Sequence, residues 1–286
     1  MSGIALIVVN FNAGPHLRRC LQAAAADLEG RDWSAIIVDN ASSDGSAKTV
    51  ADLPRTRVIA NAENRGFGAA INQAVRLTDA RWLWLLNPDC VVEPGAFARL
   101  ETVLQAHADC AIAAPQLLNA DGSIQASARG EPSAATGLFG RHGLFARLFP
   151  RASMTRRNLQ AEDLSAAGET SAVVDWVMGA AMLVRREAFD AAGGFDERYF
   201  LYWEDADLCR RLRDRGLTTR YVPAARVLHP GGVSAASRPA FATRAFHRSA
   251  YLYYATHVVP SPWHPARWFA RAALTLRAEW RALRRR

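Results

Sequence analysis

Five short apolar runs recur along the chain with helical segments between them, and that alternation limits the fold more than any other feature of the sequence. The runs are Ile4–Val9, Ala35–Val38, Arg57–Ala60, Trp82–Leu86 and Ala111–Ala114. The first is aliphatic and β-branched throughout, as expected of a strand buried on both faces. Helices are expected from the loop at Asn10–Pro15 to about Leu28, from Gly66 to Thr78 and from Pro94 to Ala106. Ser42-Ser43-Asp44-Gly45-Ser46 offers N-cap chemistry for another. Strands and helices at this spacing specify βαβ units and an α/β fold with a mostly parallel sheet. The pattern then lapses between about Asn119 and Thr170. It resumes with strands over Val173–Val177 and within Met178–Val184, a helix over Glu204–Arg215, a strand over Thr218–Val222 and a helical remainder.

Half of the 286 residues are hydrophobic and 22% are charged, ordinary for a globular enzyme. No apolar run approaches the roughly 18 residues that span a bilayer. Met1-Ser2-Gly3-Ile4 has neither a basic region nor a cleavage site, so no signal peptide is expected and the location is read as cytoplasmic. Cys20, Cys90, Cys110 and Cys209 lack CxxC spacing and read as buried reduced thiols. The net charge of +8 lies mostly in the tail, where seven arginines and Glu279 leave +6 over Trp263–Arg286. Nucleic-acid binding fits that charge and nothing else in the sequence.

In open parallel sheets, ligands bind beyond the carboxyl ends of the strands. Those ends carry Asn10 and Asn12, Asp39 and Asn40, and Asn87-Pro88-Asp89. No GxGxxG follows the first strand and no GxxxxGK[ST] occurs, so dinucleotide and P-loop chemistry are disfavoured. Asp39 suits a base N–H or ribose hydroxyls. Asn64-Arg65-Gly66-Phe67-Gly68 puts an amide, a cation and two glycines at a helix start, a place for phosphate or for a simple turn and cap. Asp89 is placed to hold Mg²⁺ or Mn²⁺ on a diphosphate, with His229 either a further ligand, a phosphate contact or a structural side chain.

Gly193–Leu212 is the densest constellation, with aromatic residues crowding Glu204, Asp205 and Asp207 at a helix start. Acids there complement the helix dipole, yet apolar surroundings also raise a carboxylate's proton affinity and suit it to act as a base. Trp203, with Trp176 and Gly179 upstream, is a candidate wall of a sugar or acceptor pocket.

Taken in order, Val9–Asn12, Val38–Ser46, Asn64–Gly68, Leu86–Asp89 and Trp203–Leu208 resemble family 2 glycosyltransferases of the GT-A (Rossmann-like) fold, particularly the bacterial rhamnosyltransferase-like branch. The resemblance spans about residues 4–232. It implies a GT-A domain over 1–232, with a nucleotide-binding half (1–118) and an acceptor or catalytic half (119–232), and a basic helical extension over 233–286. It also implies nucleotide contacts from Asn10, Asn12, Asp39, Asn64, Arg65 and Asn87, and a divalent metal at the family's DxD position. Here Asn87-Pro88-Asp89 offers one carboxylate where two are common. Asp205 maps to the general base of a single inverting displacement, with Glu204 beside it. The Asn-Pro-Asp form favours dTDP-L-rhamnose as donor over UDP- or GDP-sugars, and the acceptor is expected to be a glycan or lipid-linked glycan of the cell envelope.

Two other readings compete. A catalytically silent nucleotide-sugar scaffold would have no use for the Glu204-Asp205 pair and Asp89. A nucleotidyltransferase would carry a Gly-rich basic loop after the first strand, where this chain has Asn10–Pro15. The tail mixes Trp263, Trp268, Phe269, Leu274, Leu276, Trp280 and Leu283 with arginines. That composition fits either an interfacial helix drawn to anionic lipid or a solvated helix packed on the core.

Overall fold

β1 (Ile4–Asn10) is buried along its whole length, with Ile4, Leu6 and Val8 on one side of the sheet and Ala5, Ile7 and Val9 on the other. A strand of this kind needs a helix layer on each face. The computed structural model, which describes residues 3–131, 170–231 and 238–284, supplies both. On one face α1 (His16–Asp27) and α3 (Ala96–Ala106) contribute Leu17, Leu21, Phe97 and Leu100. On the other, α2 (Phe67–Val75), α4 (Arg186–Ala191) and α5 (Glu204–Arg213) contribute Ile71, Phe189, Leu208 and Leu212.

The remaining strands are β2 (Trp33–Asp39), β3 (Thr56–Ala60), β4 (Trp82–Leu86), β5 (Val91–Val92), β6 (Cys110–Leu118), β7 (Ala128–Arg129), β8 (Ala172–Val174), β9 (Trp176–Val177), β10 (Ala181–Arg185) and β11 (Thr218–Leu228). Of the eleven described strands nine, β1 included, form one sheet in the order β3-β2-β1-β4-β10-β6-β11-β5, with β8 paired to β11, while β7 and β9 form a separate ribbon. β1 pairs parallel with β2 and β4, β2 with β3, and β6 with β11; β10 runs antiparallel between β4 and β6. The sheet is therefore mixed and mostly parallel. Because β1 lies between β2 and β4, the chain changes direction across the sheet there, which opens a crevice at the carboxyl ends of these strands.

Three local expectations change. The helix expected after Ser42–Ser46 is only a 3₁₀ turn over Ser46–Val50. Asp44 accepts from the Ser46 N–H (2.9 Å) and the Gly14 N–H (2.8 Å), and Gly45 is left-handed at φ 75°, so the segment is held as a loop. The strand expected over Val173–Val177 divides at Asp175, whose carboxylate receives the Glu131 N–H (2.7 Å) and the Arg213 guanidinium (3.2 Å). β11 continues past Val222 to Leu228 because residues 223–225 bulge out of register, a place where Pro223 need not donate. The aperiodic stretch lies mainly at 132–169, outside the described residues.

α6 (Pro239–Tyr253) closes the fold behind residues 199–207. Ser249 Oγ donates to the Leu201 carbonyl (2.9 Å), and Phe241 and Tyr253 meet Phe200 and Trp203 with ring centroids 5.4 and 5.3 Å apart. α7 (Pro265–Leu283) packs on α6, and Arg244 bridges to Glu279 at 2.7 Å.

The loop before α5 is also clamped to α2. Asn72 donates to the Phe195 carbonyl (2.8 Å) and accepts its N–H (2.9 Å), while the Phe67 N–H reaches the Phe200 carbonyl (3.0 Å). Gly66 makes the second clamp possible. It sits at φ 86°, ψ 170°, and a Cβ there would lie 2.5 Å from the Phe200 carbonyl oxygen. Gly66→Ala should therefore lower stability by at least about 2 kcal/mol, combining a glycine-only backbone region with a collision. Gly122→Ala, also at positive φ but with open space around it, should cost about 1 kcal/mol. Urea midpoints of the two variants check the difference, and equal losses would show that the Gly66–Phe200 contact is not a structural constraint.

Candidate active site

Asn10 and Asp39 are register partners at the ends of β1 and β2, and both are buried. Asn10 Nδ2 lies 2.7 Å from Asp39 Oδ1, 2.8 Å from Ser46 Oγ and 3.1 Å from Ser42 Oγ. Asn10 thus aims the Asp39 carboxylate and reaches the crevice only through it. Asn12, left-handed at φ 51°, accepts from the Ser43 N–H (2.8 Å) and folds the 42–46 loop over the strand ends. Asn40 donates to the Gly66 carbonyl (3.0 Å), tying this loop to the start of α2. There Asn64 Oδ1 accepts the Gly66 N–H (2.9 Å) and shapes the turn, leaving Arg65 exposed at its apex. Together these residues make a polar rim suited to a base, a ribose and phosphate oxygens.

Asp89 and His229 face each other across the next part of the crevice, with His229 Nε2 3.5 Å from Asp89 Oδ1 and 3.4 Å from Asn87 Nδ2. Gln125 orients the ring. Its Nε2 donates to the Asn119 side-chain oxygen (2.9 Å) and to the His229 carbonyl, so its Oε1 is the atom 3.1 Å from His229 Nδ1. An amide oxygen only accepts, so Nδ1 carries a proton, and Nε2 is the ring nitrogen that faces Asp89. Burial works to raise the Asp89 carboxyl, but the facing imidazole and a backbone N–H outweigh it and keep it below the usual range. Cys90 lies close enough to complete a three-ligand cluster. However, burial pushes its thiol well up, and the S–H is given to the Ala180 carbonyl at 3.2 Å. One carboxylate and one imidazole, left open for phosphate oxygens, match what a hard divalent ion takes from a protein when a diphosphate supplies the rest.

α5 presents its acids into a buried environment. Asp205 accepts the Gly179 N–H at Oδ2 and the Ala206 N–H at Oδ1, both at 2.8 Å. Glu204 is also buried, and its Oε2 has no partner. Burial and the adjacent Asp205 charge push the Glu204 carboxyl well up. Burial raises Asp205 as well, opposed by its two N–H donors and by the Arg129 charge. The result is a desolvated carboxylate ready to accept a proton. Asp207 has a different use, receiving Arg211 Nε and contacting His257 Nε2, each at 2.7 Å, which pins α5 to the turn after α6.

Of the proposed pocket walls, Gly179 is the donor to Asp205 and packs tightly against it: a Cβ would stand 3.3 Å from Asp205 Cβ. Trp203 is half-buried against Phe246 and Tyr253, and follows Tyr202 in two successive left-handed residues (φ 67° and 71°). Trp176 gives its N–H to the Gly130 carbonyl (2.9 Å) and has the Arg129 guanidinium over its ring at 4.9 Å, so that face is covered.

The two halves of the site meet at one turn. Gly179 holds Asp205, and the neighbouring Ala180 carbonyl accepts the Asn87 N–H at 2.7 Å. The Met178 N–H donates to Ser127, two residues from Arg129 and two from Gln125. Gln125 and Arg129 were not singled out as site residues from the sequence, and Asn40 was placed at a strand end with no role of its own. The Asp121-Gly122 turn after β6 was the available signal for the first two, since it marks a chain reversal toward the crevice.

Residues 2–255 match the family described as "Glycosyltransferase like family 2". The chain is 34% identical over 289 residues to an N-acetylglucosaminyl-diphospho-decaprenol L-rhamnosyltransferase of Mycobacterium tuberculosis, covering 96% of this chain and 91% of that one. It is 51% identical over 57 residues, 20% of its length and 22% of the relative's, to the rhamnosyltransferase WbbL of Escherichia coli. Among solved structures, the mannosyltransferase PcManGT of Pyrobaculum calidifontis, in complex with GDP-Man and Mn²⁺, superposes with a TM-score of 0.57 at 17% identity, covering 99% of this chain and 72% of that one. The fold is that of GT-A glycosyltransferases, and the chain belongs to glycosyltransferase family 2, related to L-rhamnosyltransferases.

Proposed function

We propose that the chain transfers L-rhamnose from dTDP-L-rhamnose, with inversion, to a hydroxyl of a polyprenyl-diphosphate-linked sugar in envelope polysaccharide synthesis. The observation that carries the catalytic part is the Asp205 carboxylate. It is buried, held by two backbone N–H groups and joined through Gly179-Ala180 to the Asn87-Pro88-Asp89 segment. The sugar and the acceptor rest on likeness to the mycobacterial relative, whose name specifies both, and the dTDP carrier rests on the Asn87-Pro88-Asp89 form of the segment.

In this reading Asp39, positioned by Asn10, contacts the thymine or ribose, and Arg65 at the head of α2 meets the diphosphate. Asn12 and Asn64 shape the loops that cover the nucleotide, and Asn87 lines the phosphate side. Asp89 and His229 would hold Mg²⁺ or Mn²⁺, which would offset charge on the departing diphosphate. Asp205 takes the proton from the acceptor hydroxyl as its oxygen bonds to the anomeric carbon. The bond from that carbon to the β-phosphate oxygen breaks on the opposite face, and dTDP leaves. Glu204 stands beside Asp205 at the start of α5, and Trp203 and the Gly179 turn border the acceptor.

A donor panel with Mn²⁺ or Mg²⁺ and an N-acetylglucosaminyl-diphospho-polyprenol acceptor tests the assignment. The expected result is dTDP release with a rhamnosylated product. Use of a UDP- or GDP-sugar instead would overturn the donor, and no turnover with any donor would favour the scaffold reading.

Asp205→Asn should lower turnover by about 10²–10⁴-fold with little change in donor affinity. Only ionised Asp205 can accept the proton, and burial raises its pKa. Activity should therefore fall with decreasing pH at a point above the ordinary Asp value of 3.8. A pH profile of kcat/KM checks this, and an unchanged acid limb in the variant would remove Asp205 from the role of base.

A further inference from the structure

α7 carries two apolar stripes on opposite faces. Ala270, Leu274, Ala278 and Ala282 repeat every four residues and are buried. Phe269, Leu276, Trp280 and Leu283 follow a helical spacing on the other side, joined by Trp268, with Trp263 just before the helix. This second face is open to solvent: Trp263 is 83% exposed, Phe269 78% and Leu276 72%. The buried stripe accounts for packing on α6 and leaves the outer one exposed, with no packing role among the described residues. A contiguous row of exposed aromatic and aliphatic side chains marks a surface that another phase or molecule covers.

The charges beside it indicate which. Arg267, Arg271, Arg277, Arg281 and Arg284 lie on this helix, and Glu279, its one acid, is neutralised by Arg244. Arg271 and Arg284 are exposed, and the Arg284 guanidinium stacks over Trp280 at 3.9 Å. A second copy docking through the same face would bring the exposed arginines of two helices, Arg271 and Arg284, close to one another, which like charge disfavours. An anionic bilayer surface accepts both features at once, with the apolar row entering the acyl boundary and guanidinium groups at the phosphates. No described helix is long and apolar enough to cross a membrane, so attachment of this kind would lie in the plane of the surface.

We propose that the outer face of α7 is a membrane-docking surface for anionic lipid. The inference stands on the helix alone and goes beyond the transfer reaction. Its experiment is co-sedimentation of the full chain with phosphatidylglycerol-containing vesicles and with pure phosphatidylcholine vesicles, beside Trp268→Ser/Phe269→Ser/Leu276→Ser. These side chains point away from the core, so the variant should keep the wild-type thermal midpoint and turnover of a water-soluble acceptor analogue. The wild type is expected to bind anionic vesicles, less at high salt, and the variant to bind at least about tenfold more weakly. Absent wild-type binding, or binding equal in the triple variant, would overturn the proposal. So would a wild-type dimer that the variant turns into a monomer, since a second copy would then cover the face.

Discussion

The turn at Met178-Gly179-Ala180 is the contact on which the geometry of the site depends. On one side the Gly179 N–H holds the Asp205 carboxylate, and on the other the Ala180 carbonyl holds the Asn87 N–H and the Cys90 thiol. The turn enters β10, the antiparallel strand seated between β4 and β6, so sheet pairing fixes its position. A buried acid that would otherwise be costly to ionise is thereby stabilised by the same backbone that places the metal-side segment. The orientation of one half constrains the other through this backbone turn.

Around this contact the fold assembles elements distant in sequence. Gln125 sets the His229 ring, Asn72 and Gly66 clamp the loop before α5, and Asp207 anchors α5 to His257. Tyr202 and Trp203 both take left-handed backbone conformations that cost roughly 1–3 kcal/mol each and persist only where the surroundings over-determine them. α6 supplies that restraint through Ser249, Phe246 and Tyr253. The strained pair delivers Glu204 and Asp205 abruptly to the helix start, where the dipole and two N–H groups support the ionised form of Asp205.

The sheet and its helices were legible from hydrophobic period because β1, β4 and β6 are buried on both faces and admit few other readings. The antiparallel direction of β10 was not, since an apolar pentamer looks the same whichever way it runs. Asp205, Asp89 and Asp39 were visible as acids at strand ends and a helix start. The work of Asn10 as a support for Asp39, and of Asp207 as an anchor, depends on partners 29 and 50 residues away that spacing does not reveal. Gln125 and Arg129 lie in a stretch without periodicity and become informative only once the chain reverses at Gly122. In the tail, composition identified the arginines and tryptophans, while the division of α7 into a packed and an open face required the position of α6.

The most direct test is a crystal of the chain grown with Mn²⁺ and dTDP, with anomalous diffraction used to place the metal. The account requires one strong peak bonded to Asp89 and to His229 Nε2. The diphosphate should lie on that peak, the thymidine against Asp39, and the Asp205 carboxylate should face the vacant sugar position. A metal bound away from Asp89 and His229, or a nucleotide seated at another edge of the sheet, would contradict it.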